Sequence, residues 1–95
     1  MDILATVHFL NIENEKWQAK YLSGFRSNIN YGSENFCCGV VFEGGREVNQ
    51  GETISCEIGF LTHEPHIGKL SKDMKFVLFV GDVVFANGVI DFVSE

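Results

Sequence analysis

The sequence predicts an all-β domain of about six antiparallel strands closed into a small barrel, and three observations predict it. Apolar and polar residues alternate with a period of two through most of the chain, whereas the 3.6-residue spacing of an amphipathic helix is almost absent. Clusters of glycine with asparagine, aspartate or glutamate separate the alternating runs, as turns require. An open flat sheet of that many strands would leave exposed edges, so closure into a barrel or sandwich is expected.

The first strand alternates Ile3, Ala5, Val7 and Phe9 with Leu4, Thr6, His8 and Leu10, so its second face is also mostly apolar. Residues 11–16 (Asn-Ile-Glu-Asn-Glu-Lys) form a polar connection. In the next strand Phe25, Ser27, Ile29 and Tyr31 alternate with Arg26, Asn28 and Asn30, giving one wet face. Phe36, Cys38, Val40 and Phe42 then alternate with Cys37, Gly39 and Val41. Residues 43–47 (Glu-Gly-Gly-Arg-Glu) read as a turn, because glycine reaches positive φ without a Cβ clash. Ile54, Cys56, Ile58 and Phe60 face one way, and Thr53, Ser55, Glu57 and Gly59 the other. A polar loop over residues 62–73 holds the single proline. Residues 76–93 close the chain as a hairpin with two possible turns, Gly81-Asp82 and Asn87-Gly88. Asn-Gly is the stronger two-residue hairpin signal, but it would leave only residues 83–86 as the strand before it.

Ninety-five residues make one domain, 1–95, large enough for a core without metals or disulfides. With 13% aromatic residues and nine Phe, that core should be rich in rings. Acidic residues outnumber basic ones by 13 to 7, and the net charge of −6 repels phosphate backbones at long range. Nucleic acid is therefore not the expected partner; a basic protein is. Cys37, Cys38 and Cys56 are an odd number, and vicinal cysteines on a strand point to opposite faces, so no disulfide framework is expected. The opening Met-Asp-Ile-Leu-Ala-Thr-Val-His lacks the basic leader of a signal peptide, and no run reaches a membrane span. A reducing cytoplasm, away from any membrane, is the expected compartment.

A string of short signatures, in order, resembles the third domain of elongation factor Tu. Gly24-Phe25-Arg26-Ser27-Asn28-Ile29-Asn30 is similar to that family's Gly-Tyr-Arg-Pro-Gln-Phe-Tyr strand. Gln50-Gly51-Glu52-Thr53-Ile54 resembles its Pro-Gly-Asp-Asn turn and following strand. Residues 76–93 resemble its Phe-Ala-Ile-Arg-Glu-Gly-Gly-Arg-Thr-Val-Gly-Ala-Gly-Val-Val ending, with Gly81 and Gly88 matching. The resemblance spans essentially the whole chain and implies a stand-alone β barrel of bacterial origin. It also implies that Gly81-Asp82 is the hairpin turn and Asn87-Gly88 a bulge or kink within a continuous strand.

The departures bear on function. In the family, an Arg-His pair before the Gly-Tyr-Arg strand helps bind the T-stem of aminoacyl-tRNA; Trp17 and Gln18 stand at those positions. The cations of the family's final hairpin give way to Phe79-Val80 and Gly81-Asp82-Val83. Those changes remove charge that phosphate contact needs, and there is no phosphate-binding Gly-x-x-x-x-Gly-Lys-Ser/Thr loop. The resemblance thus implies the barrel without tRNA binding or GTP hydrolysis.

His63 and His66 are the weak metal candidates, with Cys56 or Glu64 to complete a set, but Pro65 bars a helix between them and no second pair has ligand spacing. Solvated histidines, and neither metal nor cofactor, are expected. Cys37 and Cys38 read as buried inert fillers. No Gly-x-Ser-x-Gly elbow accompanies His8, and no catalytic activity is expected. Trp17 and Tyr21 either fasten the long connection to the barrel or offer an aromatic anchor to a partner. Glu43, Glu47, Glu52 and Glu57 fall on one turn-and-strand region and form a candidate acidic face for a basic protein, including a nuclease-type toxin. The reading is a protein-binding module, immunity- or antitoxin-like. Its alternative is a translation-associated protein that mimics the elongation factor domain and binds a translation factor or tRNA.

Overall fold

The computed structural model describes residues 3–14, 16–17, 19–32, 34–61 and 70–94. Its strands are β1 (Ile3–Phe9), β2 (Lys20–Tyr21), β3 (Phe25–Tyr31), β4 (Glu34–Phe42), β5 (Val48–Asn49), β6 (Thr53–Phe60), β7 (Lys75–Val80) and β8 (Val83–Val93). Six of them close into a barrel in the order β1-β6-β4-β3-β7-β8, with every pairing antiparallel. Closure leaves none of these six strands with an unpaired edge. The expected all-β barrel is therefore the fold.

Alternation fills the interior as the sequence predicts. Ile3, Ala5, Val7 and Phe9 of β1 are buried, as are Cys56, Ile58 and Phe60 of β6 and Cys38, Val40 and Phe42 of β4. Rings gather at the two ends of the barrel. At one end Phe9 lies 4.8 Å from Tyr21 and 5.7 Å from Phe42, and Tyr21 stacks on Phe85 at 5.2 Å. At the other, Tyr31 stacks on Phe36 at 5.3 Å and meets Phe60 edge-on at 6.2 Å. Aliphatic side chains occupy the middle, and the rings plug the mouths where strand splay leaves more room.

The two-residue pair β2–β5 is an addition to the sequence reading. Tyr21 and Val48 face each other across it and are both buried, so this small ladder lids the aromatic end. Two-residue strands are too short for alternation to reveal. The Glu-Gly-Gly turn is present at Glu43–Gly45, with Gly44 and Gly45 in the left-handed region at φ 74° and 67°.

The closing hairpin turns at Gly81-Asp82, with Gly81 at φ 56°. The second expectation for it needs correction: Asn87-Gly88 is regular strand. The register shifts of β8 fall elsewhere, where Phe85 lies between the partners of Leu78 and Phe79, and where Asp91 lies between the partners of Leu4 and Ala5. Gly88 is there for space. It pairs with Phe76, and a Cβ at position 88 would come within 2.3 Å of the Phe76 ring. A strand glycine of this kind marks a close approach rather than a bulge.

Candidate functional site

Trp17 and Tyr21 are brought together, but as structure. The Trp17 indole N–H donates to the Tyr21 hydroxyl at 2.8 Å, and Trp17 packs 5.9 Å from Phe85. Tyr21 is 1% exposed, so it is a core residue and offers a partner nothing; only the partly buried Trp17 reaches solvent. Burial raises the Tyr21 phenol above 10.0, and the Trp17 hydrogen bond partly offsets that by favouring the phenolate. The long connection gains from such a fastening because none of its described residues before Lys20 belongs to a strand.

The four acidic candidates divide into two pairs. Glu47 meets Lys20 at 3.5 Å, and Glu52 meets Arg46 at 2.8 Å while also accepting the Asn49 N–H at 3.3 Å. These two carboxylates are occupied in holding β2, β5 and the intervening turn together. Glu43 and Glu57 form no ion pair among the described residues. Both are exposed, and both line one surface cavity of about 440 Å³ together with Leu4, Val41, Ser55 and the Gly44-Gly45 backbone. A second depression of about 350 Å³ continues from Glu43 and Ser55 towards Arg46 and Thr53.

Register decides what surrounds Glu57. It sits opposite Leu4 of β1 on one side and Val41 of β4 on the other, and Leu4 in turn sits opposite Phe92 of β8. The outer surface therefore carries a transverse row, Phe92–Leu4–Glu57–Val41, across four strands. Phe92 is 55% and Val41 44% exposed, and Leu4 is partly buried between the strands. The row can cover apolar surface of a partner while its carboxylate meets a cation. Leu4, Val41 and Phe92 are absent from the sequence candidates because nothing in period-two alternation aligns residues from four strands. The available signal was only that Leu4 and Val41 are apolar residues on the strand faces opposite the core sets.

Cys37 corrects a further expectation: it is exposed, and its thiol points to the Asn28 side-chain oxygen at 3.5 Å. It pairs across from Asn28 on the outer face of the barrel. Cys38 and Cys56 are buried as expected, and desolvation pushes both thiols from 9.0 up to about 12, with the charge of Cys37 adding to the effect at Cys38. His8 shares a 2.7 Å hydrogen bond with Thr53 on the outer face. His63 and His66 lie outside the described residues. Among the described residues no three His, Cys, Asp or Glu side chains gather as a metal site would require. No helix among them is long and apolar enough to cross a membrane. Compared with known proteins, the chain matches no family model and no curated sequence.

Proposed function

We propose that this barrel is a non-catalytic protein-binding module whose partner is a basic protein, of the kind an immunity or antitoxin protein neutralises. The observation that carries the reading is the row Phe92–Leu4–Glu57–Val41, with Glu43 across the adjoining cavity. Apolar side chains supply desolvated contact area, and the two carboxylates, which form no ion pair among the described residues, supply sign selectivity and steering, reinforced by the chain's charge of −6. A second copy of the chain is a poor occupant of this face. Two-fold packing on it would set Glu57 and Glu43 against like charges, whereas lysine or arginine complements them. The proposal keeps the relationship to the third domain of elongation factor Tu, supported by barrel closure and by the turn at Gly81-Asp82. It does not keep that domain's tRNA contact, since Trp17, at one of the positions that are basic in the family, is here committed to Tyr21 and Phe85.

The test is capture on immobilised protein from extracts of the source cells, followed by titration of the purified partner. Wild type should retain a basic protein in one-to-one complex, the Glu43→Lys/Glu57→Lys variant should lose it, and Glu47→Gln/Glu52→Gln should keep it. Retention of the same partner by the charge-reversed variant would end the proposal. Capture of aminoacyl-tRNA or of a translation factor in its place would favour the translation-associated reading.

A further inference from the structure

We propose that the barrel opens along the β3–β7 seam, in a local motion distinct from global unfolding. Two strands are held together by their ladder of hydrogen bonds and by the side-chain pairs across it, so resistance to separation grows with the length of the register. Across this seam Asn28–Phe79, Ile29–Leu78 and Asn30–Val77 alone are registered, about half of either strand. The other five neighbouring strand pairs of the barrel register over five to seven residues each.

Both ends of this short ladder are weak as well. The next pair that its register would make, Tyr31 with Phe76, is not formed, and both residues line a surface cavity of about 450 Å³ together with Gly32 and Lys75. At the opposite end comes Ser27, which is 6% exposed and sets a hydroxyl, rather than an apolar side chain, against β7. That hydroxyl donates to the Asn28 carbonyl of its own strand at 2.8 Å and reaches the Phe79 carbonyl across the seam only at 3.5 Å. The short bond belongs to β3 and survives separation, whereas the long one contributes little to holding the strands together. Opening here converts the closed barrel into a curled sheet in the order β3-β4-β6-β1-β8-β7, with every other ladder kept and β3 and β7 as its edges. No residue of the row Phe92–Leu4–Glu57–Val41 lies on β3 or β7, so the inference stands or fails independently of the proposed function.

Native-state hydrogen exchange of the whole chain, resolved by residue and followed in urea below the unfolding transition, tests it. Val80 closes the Gly81-Asp82 turn with Val83, so the alternate residues Val77 and Phe79 turn their amides to β3. The amides of Asn28, Asn30, Val77 and Phe79 should exchange at least about tenfold faster than those of Ala5 and Val7 in β1, with a shallower dependence on urea, because opening one seam exposes less surface than unfolding. A reversible lock supplies the second arm. Asn30→Cys/Val77→Cys in a Cys37→Ser background joins a registered pair on the outer face, at a Cα separation that suits a disulfide. Oxidation should bring Asn28 and Phe79 to the exchange rates of β1, and reduction should restore the difference. Seam and β1 amides that exchange at one rate with one urea dependence in wild type would overturn the proposal. So would a difference between Phe79 and Ala5 that oxidation leaves unchanged.

Discussion

The ring of Phe76 occupies the place where a side chain at position 88 would begin: a Cβ on Gly88 would lie 2.3 Å from Cζ and 2.8 Å from both Cε atoms. The two residues are registered partners on β7 and β8, and both are buried. The glycine thus leaves a slot in the barrel wall, and the phenyl ring closes it from the neighbouring strand, an arrangement that recovers packing a strand glycine otherwise forfeits.

Gly88→Ala should therefore destabilise the barrel although alanine suits a strand better than glycine. Overpacking of a filled interior costs about 1–3 kcal/mol. Urea unfolding measures it. The penalty should be smaller in a Phe76→Leu background, where the shorter side chain gives the methyl room; equal penalties in the two backgrounds would show that the ring is not what excludes it.

Trp17 is the sole tryptophan, so its fluorescence reports the fastening of the long connection directly. Tyr21→Phe removes the acceptor of its 2.8 Å hydrogen bond while keeping the ring contacts with Phe9 and Phe85. The expected cost is about 0.5–1.5 kcal/mol, with a change in native emission. An unchanged emission spectrum and unchanged midpoint would mean that the bond is not made in solution.

The cysteines should divide one against two. Disulfide-exchange reagents should modify Cys37 in the native protein and reach Cys38 and Cys56 only on unfolding. Rapid labelling of all three without denaturant would contradict the buried placement.

Burial also fixes the sign of the alkaline response. Cys38 and Cys56 are raised from 9.0 to about 12 in the folded barrel, so between those limits the unfolded chain has already lost protons that the folded chain keeps. Stability is fully present below pH 9.0 and declines as pH rises through the window towards about 12. Tyr21 and Tyr31, both raised from 10.0, act in the same direction. Urea midpoints across this range should fall, and Cys56→Ala should make the fall shallower. A flat profile would contradict the linkage.

What could be read from sequence follows from the range of the interactions involved. Alternation exposes which side chains of a strand share a face, so the buried sets around Val7, Val40 and Ile58 were legible. Gly81-Asp82 was legible as a turn because it divides two apolar runs. Gly88 misled because a glycine required for positive φ and one required for the Phe76 ring look alike until the partner strand is in place. Glu47 and Glu52 resembled Glu57 for the same reason: their neutralising partners, Lys20 and Arg46, are fixed by β2–β5 pairing and a turn. The row through Glu57 depends on three separate strand registers, none of which is local.

That division of the acids is also where binding should discriminate. Glu47→Gln and Glu52→Gln break exposed ion pairs worth about 0–1 kcal/mol each, so they should trim stability slightly and leave partner affinity unchanged. Equal loss of affinity from either acidic pair would mean that overall charge, rather than this face, governs the complex.

The most direct measurement of the central claim is calorimetric titration of the captured basic partner into wild type, Phe92→Ala and Glu57→Lys. The account predicts a one-to-one complex for wild type, affinity lowered by about tenfold or more in Phe92→Ala, and no measurable binding to Glu57→Lys. Binding to Glu57→Lys at wild-type affinity would contradict it.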